Sequence, residues 1–215
     1  MIAGAKLTIA VPRGTLMGTA LDLLEAVGVD VAEVRSNDRK LFFERQGIIT
    51  MRPSDVPTYV EHGVADVGIV GKDVLMEQFD RDLYELLDLQ FGTCRLVVAK
   101  PQGRQAPSAH ALPERIATKY TKTAARYFAS TGRQAEVIEV KGSVELAAIA
   151  GLADAIVDLT ATGVTLRENG LEETEEIAVC TARLIANPAS YRLKAGEIDD
   201  LCVRLRGAVA ERAEA

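Results

Sequence analysis

Three observations predict an α/β fold of two lobes. Short apolar, β-branched runs alternate with stretches of helical apolar spacing for most of the chain, the order of βαβ units and parallel sheets. A second such series starts near Arg95, after the first has already run through several strands. The alternating run "EEIAVCTARLIANP" then leads to a C-terminal stretch with Ile198, Leu201, Cys202, Leu205 and Val209 at helical spacing, expected to pack back on the first lobe. The first lobe is therefore expected to hold residues 1–94 and 180–215, and the second 95–179. Two crossings join them, with a ligand cleft between.

In chain order, "KLTIAV" reads as a strand and "LMGTALDLLEAVG" as a helix with Leu16, Ala20, Leu23, Leu24 and Val27 on its apolar face, closed by Gly28. Short strands "KLFFER" and "GIITMR" flank Gln46 and Gly47. "PSDVPTYVEHG" reads as a helix with Ser54 as N-cap and Gly63 as C-cap. "ADVGIVG" is a strand running into the helix "KDVLMEQF". After the strand "CRLVVAK", the three prolines and one glycine of residues 101–113 indicate an exposed loop. "RIATKY", "TKTAARYFASTG", "AEVIEVKG", "SVELAAIAGL" and "DAIVDLT" then repeat strand, helix, strand, helix, strand.

Composition bounds the function. The 215 residues are 48% hydrophobic and carry a net charge of -6 with acids and bases interspersed, which argues against a nonspecific nucleic-acid or membrane surface. An anionic ligand therefore needs a local cluster of cations. Cys94, Cys180 and Cys202 are odd in number and widely spaced in apolar settings, and so are expected as buried, reduced thiols. The N-terminus lacks the apolar core of a signal peptide and no run is long enough to span a membrane, so a cytoplasmic protein is expected.

The chemistry concentrates at turns. "DLTATGVTL" follows a buried strand and precedes helix-forming residues; its backbone N–H groups, threonine hydroxyls and the following helix dipole suit a phosphate monoester. Gly163 allows close backbone approach, and Asp158 at the strand tip is placed to accept from sugar hydroxyls, directly or through Mg²⁺. A plain strand-turn-helix with capping threonines is the competing reading. Other turns supply Arg13 and Gly14, then Gly71, Lys72 and Asp73, then Arg35, Arg39, Lys40 and Arg52. Singly each cation reads as a solvated charge; several at strand ends suit a pyrophosphate.

The run "ELAAIAGLADAIVDLTATGVTL" resembles the signature of the ATP phosphoribosyltransferase family, and every position of that pattern is kept. "VPRG", "RPSDVPTYVEHGVADVGIVGKDVL", "LDLQFGTCRL", "RIATKY" and "NGLEE" extend the similarity, in order, over most of the chain. The resemblance implies a two-lobed, type II periplasmic-binding-protein-like fold. It implies transfer of the phosphoribosyl group of phosphoribosyl pyrophosphate to N1 of ATP, with release of pyrophosphate, as the first step of histidine biosynthesis. By the same resemblance Thr160, Ala161, Thr162, Gly163, Val164 and Thr165 hold the 5-phosphate, Asp158 holds the ribose, and Asp154 supports it. Arg13, Gly14, Arg39, Gly71, Lys72 and Asp73 are placed on the ATP and pyrophosphate side, with Arg35 and Arg52 as catalytic cations. Mg²⁺ is implied as a passenger of the substrate phosphates, with no certain protein ligand.

Adenine N1 is itself the nucleophile and pyrophosphate a good leaving group, so orientation and charge matter more than a side-chain base, and neither His62 nor His110 is expected to be one. The resemblance is to the short form of the family. It implies no C-terminal regulatory domain and, instead, a separate regulatory subunit related to histidyl-tRNA synthetase, in a hetero-oligomer built on a catalytic dimer. The rival is a non-catalytic small-ligand-binding module of the same two-lobed fold, which leaves the cation-rich turns unexplained.

Overall fold

The computed structural model describes residues 7–103 and 113–214. Most of the expected proline-rich loop, with His110, lies outside them. The chain divides into two compact units, Met1–Gly92 with Thr181–Ala215, and Thr93–Cys180. Among the described residues no helix is long and apolar enough to cross a membrane.

The first unit is built on β1 (Ile9–Pro12), β2 (Phe42–Phe43), β3 (Ile48–Met51), β4 (Val67–Gly71) and β5 (Tyr84–Asp88), joined by the returning strand β11 (Ala182–Ala186). Their order is β2-β3-β1-β4-β11-β5. All four residues of β1 are buried, as expected for a central strand covered on both faces. Ile9 and Val11 turn to a core completed by α1 (Met17–Ala26) and α9 (Ala195–Glu214), where Ile198, Leu201, Cys202, Leu205 and Val209 all sit, while Ala10 turns to the opposite face against Val56 and Val60 of α3 (Val56–Glu61). The period of two along the strand thus selects which helix each residue meets. Helix α1 stops where Gly28 takes φ +86°: the Gly28 N–H bonds the Glu25 carbonyl and the Val29 N–H the Leu24 carbonyl, satisfying the last turn.

The second unit has β6 (Cys94–Pro101), β7 (Glu114–Thr118), β8 (Ala135–Glu139), β9 (Ala155–Thr160) and β10 (Leu171–Cys180) in the order β10-β6-β9-β7-β8. Helices α5 (Thr121–Ser130) and α6 (Val144–Ile149) are the crossovers between its parallel strands.

Two expectations need correction. The sheets are mixed: β3, β1 and β4 run parallel, as do β8, β7 and β9, but β11 is antiparallel to β4 and β6 is antiparallel to both β9 and β10. A crossover helix fixes a parallel neighbour; β6 and β11 arrive from the other unit without one, so nothing imposes that direction. Nor is Ser54 an N-cap. Pro53–Asp55 form a 3₁₀ turn, the Ser54 hydroxyl donates to Asp55 Oδ1 at 3.1 Å, and α3 begins at Val56.

Candidate active site

The turn after β9 carries the clearest ligand geometry. Thr160, the last residue of β9, is buried, and its Oγ1 accepts the Gly163 N–H at 2.8 Å. That bond folds Ala161 and Thr162 into a tight, exposed loop and sets Gly163 at φ +72°, where a β-carbon is disfavoured. Helix α7 (Val164–Glu168) starts at once, so the N–H groups of its first turn lack the carbonyls of a preceding turn. Val164 and Thr165 are exposed while Leu166 is buried against the second unit's core, which fixes the loop to the sheet and leaves its backbone open.

Side chains close around this loop from other strands. A β-carbon on Gly163 would meet Glu173 Oε1 at 2.5 Å and Arg167 Nη1 at 2.8 Å. Arg95, opposite Thr160 in the β6–β9 register, grips both oxygens of Glu173 at 2.7 and 3.1 Å, and Arg167 also donates to the Thr162 carbonyl at 3.1 Å. Arg95 also reaches Glu176 at 3.5 Å, so two arginines meet two acids here. Asp158 lies two residues before the strand ends; its Oδ1 accepts the Leu159 N–H at 2.8 Å and faces Lys119 Nζ at 3.2 Å. Asp154 stands at the other end of β9, roughly 13 Å away at strand rise, and its carboxylate is taken up by the backbone N–H and guanidinium of Arg115. The structure brings Asp158 and Thr160–Thr165 together and leaves Asp154 out.

In the first unit, Arg13 and Arg52 line one cavity of about 700 Å³ with Phe42, Thr50, Met51, Asp55 and Tyr59. Arg13 follows β1, its N–H bonded to the Met51 carbonyl at 2.7 Å and its guanidinium to the Asp38 carbonyl; Gly14 beside it takes φ +91°. Arg52 keeps extended backbone (φ -64°, ψ 143°) just before the 3₁₀ turn. Thr50 also lines the cavity, and its buried hydroxyl has no hydrogen-bond partner.

The remaining cations are held elsewhere. Arg35, on α2 (Ala32–Ser36), pairs with Asp22 at 2.6 Å and Glu25 at 3.2 Å; the Asp22 hydrogen bond, helped by Glu25, raises its pKa against desolvation. Lys72, at the start of α4 (Lys72–Glu77), is held by Glu85 at 2.6 Å, and Asp73 folds its carboxylate over Gly71 where a side chain would stand. Arg39 is exposed beside Asn37. His62 is exposed at the end of α3. Sequence reasoning missed Arg95, Lys119, Arg167, Glu173 and Thr50. Arg95 and Lys119 had a readable signal, as cations at the ends of β6 and β7 on either side of β9; Thr50 had none.

No cluster of three or more metal-ligating side chains occurs among the described residues.

Comparison with known proteins decides between enzyme and binding module. The chain is 56% identical over 201 residues to the ATP phosphoribosyltransferase of Rubrobacter xylanophilus, covering 91% of this chain and 93% of that one. The ATP phosphoribosyl transferase (HisG:HisZ) complex from Thermotoga maritima has a chain 39% identical, with a TM-score of 0.83 over 96% of this chain and 99% of that one. The periplasmic aliphatic sulphonate binding protein SsuA from Escherichia coli shares the two-lobed, type II periplasmic-binding-protein-like fold alone, with 13% identity, a TM-score of 0.61, and coverage of 97% of this chain and 74% of that one. The family profile for HisG, ATP phosphoribosyltransferase, matches residues 52–207, and with the identities above it places the chain in the ATP phosphoribosyltransferase family.

Proposed function

We infer that this enzyme of histidine biosynthesis binds the 5-phosphate of phosphoribosyl pyrophosphate on Thr160–Thr165 and the ribose hydroxyls on Asp158, for transfer to N1 of ATP with release of pyrophosphate. One observation carries the reading: Gly163 at φ +72°, clamped by Thr160, turns a loop of exposed backbone toward solvent beside two arginines. Arg95 supports this loop by holding the Glu173 carboxylate, and Lys119 orients Asp158.

The cavity around Arg13 and Arg52 suits ATP. Its apolar wall, with Phe42 and Tyr59, accommodates a flat base, and the two guanidiniums receive phosphate. Gly14, Arg39, Gly71, Lys72 and Asp73, on the same unit, are assigned to the ATP and pyrophosphate side by the family resemblance, with Lys72 exchanging Glu85 for phosphate. Because adenine N1 attacks a ribosyl carbon that becomes cation-like as pyrophosphate departs, the protein's work is to orient two substrates and to neutralise the departing charge. Arg52 does this directly, and Arg35 joins it on release from Asp22 and Glu25. A magnesium ion arriving on the pyrophosphate would add to that neutralisation, and Asp158 would meet the ribose hydroxyls directly or through it.

The likeness to a chain of a HisG:HisZ complex supports a partner subunit; we infer that this partner is regulatory and related to histidyl-tRNA synthetase, and that it joins a catalytic dimer in the cytoplasm. The direct test is pyrophosphate release from ATP and phosphoribosyl pyrophosphate with Mg²⁺, with and without such a partner. Release that requires both substrates is expected; release from phosphoribosyl pyrophosphate with no ATP present would overturn the assignment.

A further inference from the structure

Cys94 is the first residue of β6 and Cys180 the last of β10, and the antiparallel register sets them directly opposite each other. They mark the two places where the chain enters and leaves the second unit. Directly opposed residues of an antiparallel pair project from the same face, with Cα atoms roughly 4.5 or 5.5 Å apart according to the type of pair. Both values lie inside the approximate 4.4–6.8 Å window of disulfides. The backbone therefore needs no rearrangement to bring the two sulfurs together.

The two thiols differ in access. Cys180 is 1% exposed, whereas Cys94 is half-buried and can be reached from solvent. Cys202 lies apart from both, in the α9 core of the first unit, where burial pushes its thiol pKa up and makes it a poor nucleophile.

We propose that Cys94 and Cys180 form a reversible redox site, a dithiol that a low-molecular-weight disulfide converts to a cross-strand bridge. The Cys94 thiolate attacks one sulfur of the small disulfide, forming a mixed disulfide and expelling one small thiolate. Cys180 then gives up its proton and attacks the Cys94 sulfur, forming the protein bridge and expelling the second thiolate. Two protein thiols are oxidised by two electrons and one small disulfide is reduced to two thiols; an added dithiol reverses both steps. The bridge ties β6 to β10 and closes a covalent ring around the whole second unit. Disulfides of this kind in reducing compartments are transient and redox-sensing rather than structural.

The test treats the reduced full-length chain with oxidised glutathione, then blocks remaining thiols with an alkylating agent in denaturant, and measures intact mass and cross-linked peptides. The expected product lacks two hydrogens, carries one alkyl group on Cys202, yields a joined Cys94–Cys180 peptide, and returns to three reactive thiols with dithiothreitol. Cys180→Ser should instead stop at a stable glutathione adduct on Cys94, and Cys94→Ser should leave Cys180 unmodified. A wild-type chain that accumulates a glutathione adduct on Cys94, or keeps all three thiols, would overturn the proposal. Matching melting temperatures of the reduced variants and wild type confirm that the comparison is between folded proteins.

Discussion

The loop after β9 and the cations of the first unit are two ways of building an anion site, and they differ in how much of the chain each requires. The loop is made by six consecutive residues: a buried threonine caps, a glycine goes left-handed, and the next helix begins. Its geometry is local, so it is complete as soon as β9 ends. The cations come from separate turns, and of six groups expected to act together only Arg13 and Arg52 share a cavity. Arg35 and Lys72 are instead paired with Asp22, Glu25 and Glu85. A local site is preorganised before ligand arrives, whereas a dispersed one must exchange internal ion pairs for the ligand.

The largest effect should come from breaking the local site. Gly163→Val forces a β-branched residue into φ +72° and drives its side chain into Glu173 and Arg167. We expect affinity for phosphoribosyl pyrophosphate to fall by about 100-fold or more, roughly 2.7 kcal/mol, while ATP affinity changes by less than about twofold. Titration calorimetry with each ligand separately measures this. Equal losses for both ligands would mean a general folding defect and would dissolve the contrast between the two sites.

This difference also decides what could be read from the sequence. Strand and helix alternation, the α1 stop at Gly28 and the C-terminal helix packing were legible because each is encoded within one turn or one periodic face. The loop residues were legible for the same reason. The antiparallel directions of β6 and β11 were not, since they depend on arrivals from the other unit. Asp154 was expected to support Asp158, yet they stand four residues apart along the strand and Arg115 claims Asp154. Which carboxylate neutralises which cation is a tertiary fact: the residues of the Arg35–Asp22 and Lys72–Glu85 pairs both lie 13 apart with nothing in the intervening sequence to pair them.

A smaller effect sharpens the comparison inside the dispersed set. Among the described residues no ion pair holds Arg52 at the cavity, so it can meet developing charge directly; Arg35 must first leave two carboxylates. Arg52→Ala should lower the single-turnover rate by about tenfold or more, near 1.4 kcal/mol of barrier, with little change in either Michaelis constant. Arg35→Ala should cost less. Asp22→Asn, which loosens Arg35, should then leave the rate equal to or above wild type. A larger loss from Arg35→Ala than from Arg52→Ala would reverse the ranking and make the helix-held arginine the principal cation.

The smallest effect concerns the frames that hold the two sites, one carboxylate in each. Glu175 in the second unit has its pKa lowered chiefly by hydrogen bonds from Arg133, against desolvation, with Tyr127 adding to the lowering. For Asp66 in the first unit desolvation is the largest influence and pushes upward, but Lys194, the Thr8 N–H and Ser190 together outweigh it and the net shift is down. In both cases the folded-state pKa lies below the unfolded value, so the unfolded chain binds the proton first. The stabilisation is therefore fully present above the ordinary carboxylate pKa, roughly 4 to 4.5, and is lost as the pH falls through the lower folded value. Melting temperature should be flat in these groups near neutrality and decline below about pH 4.5. Asp66→Asn and Glu175→Gln should each flatten that decline, at the expense of a lower melting temperature near neutrality. Asp66 should show the larger change, because its side chain is only 8% exposed against 28% for Glu175 and its partners include a backbone N–H. A steeper acid decline in either variant would contradict the sign of its shift; a larger change from Glu175→Gln would show that the second unit, which carries the preorganised loop, also carries the more acid-sensitive frame.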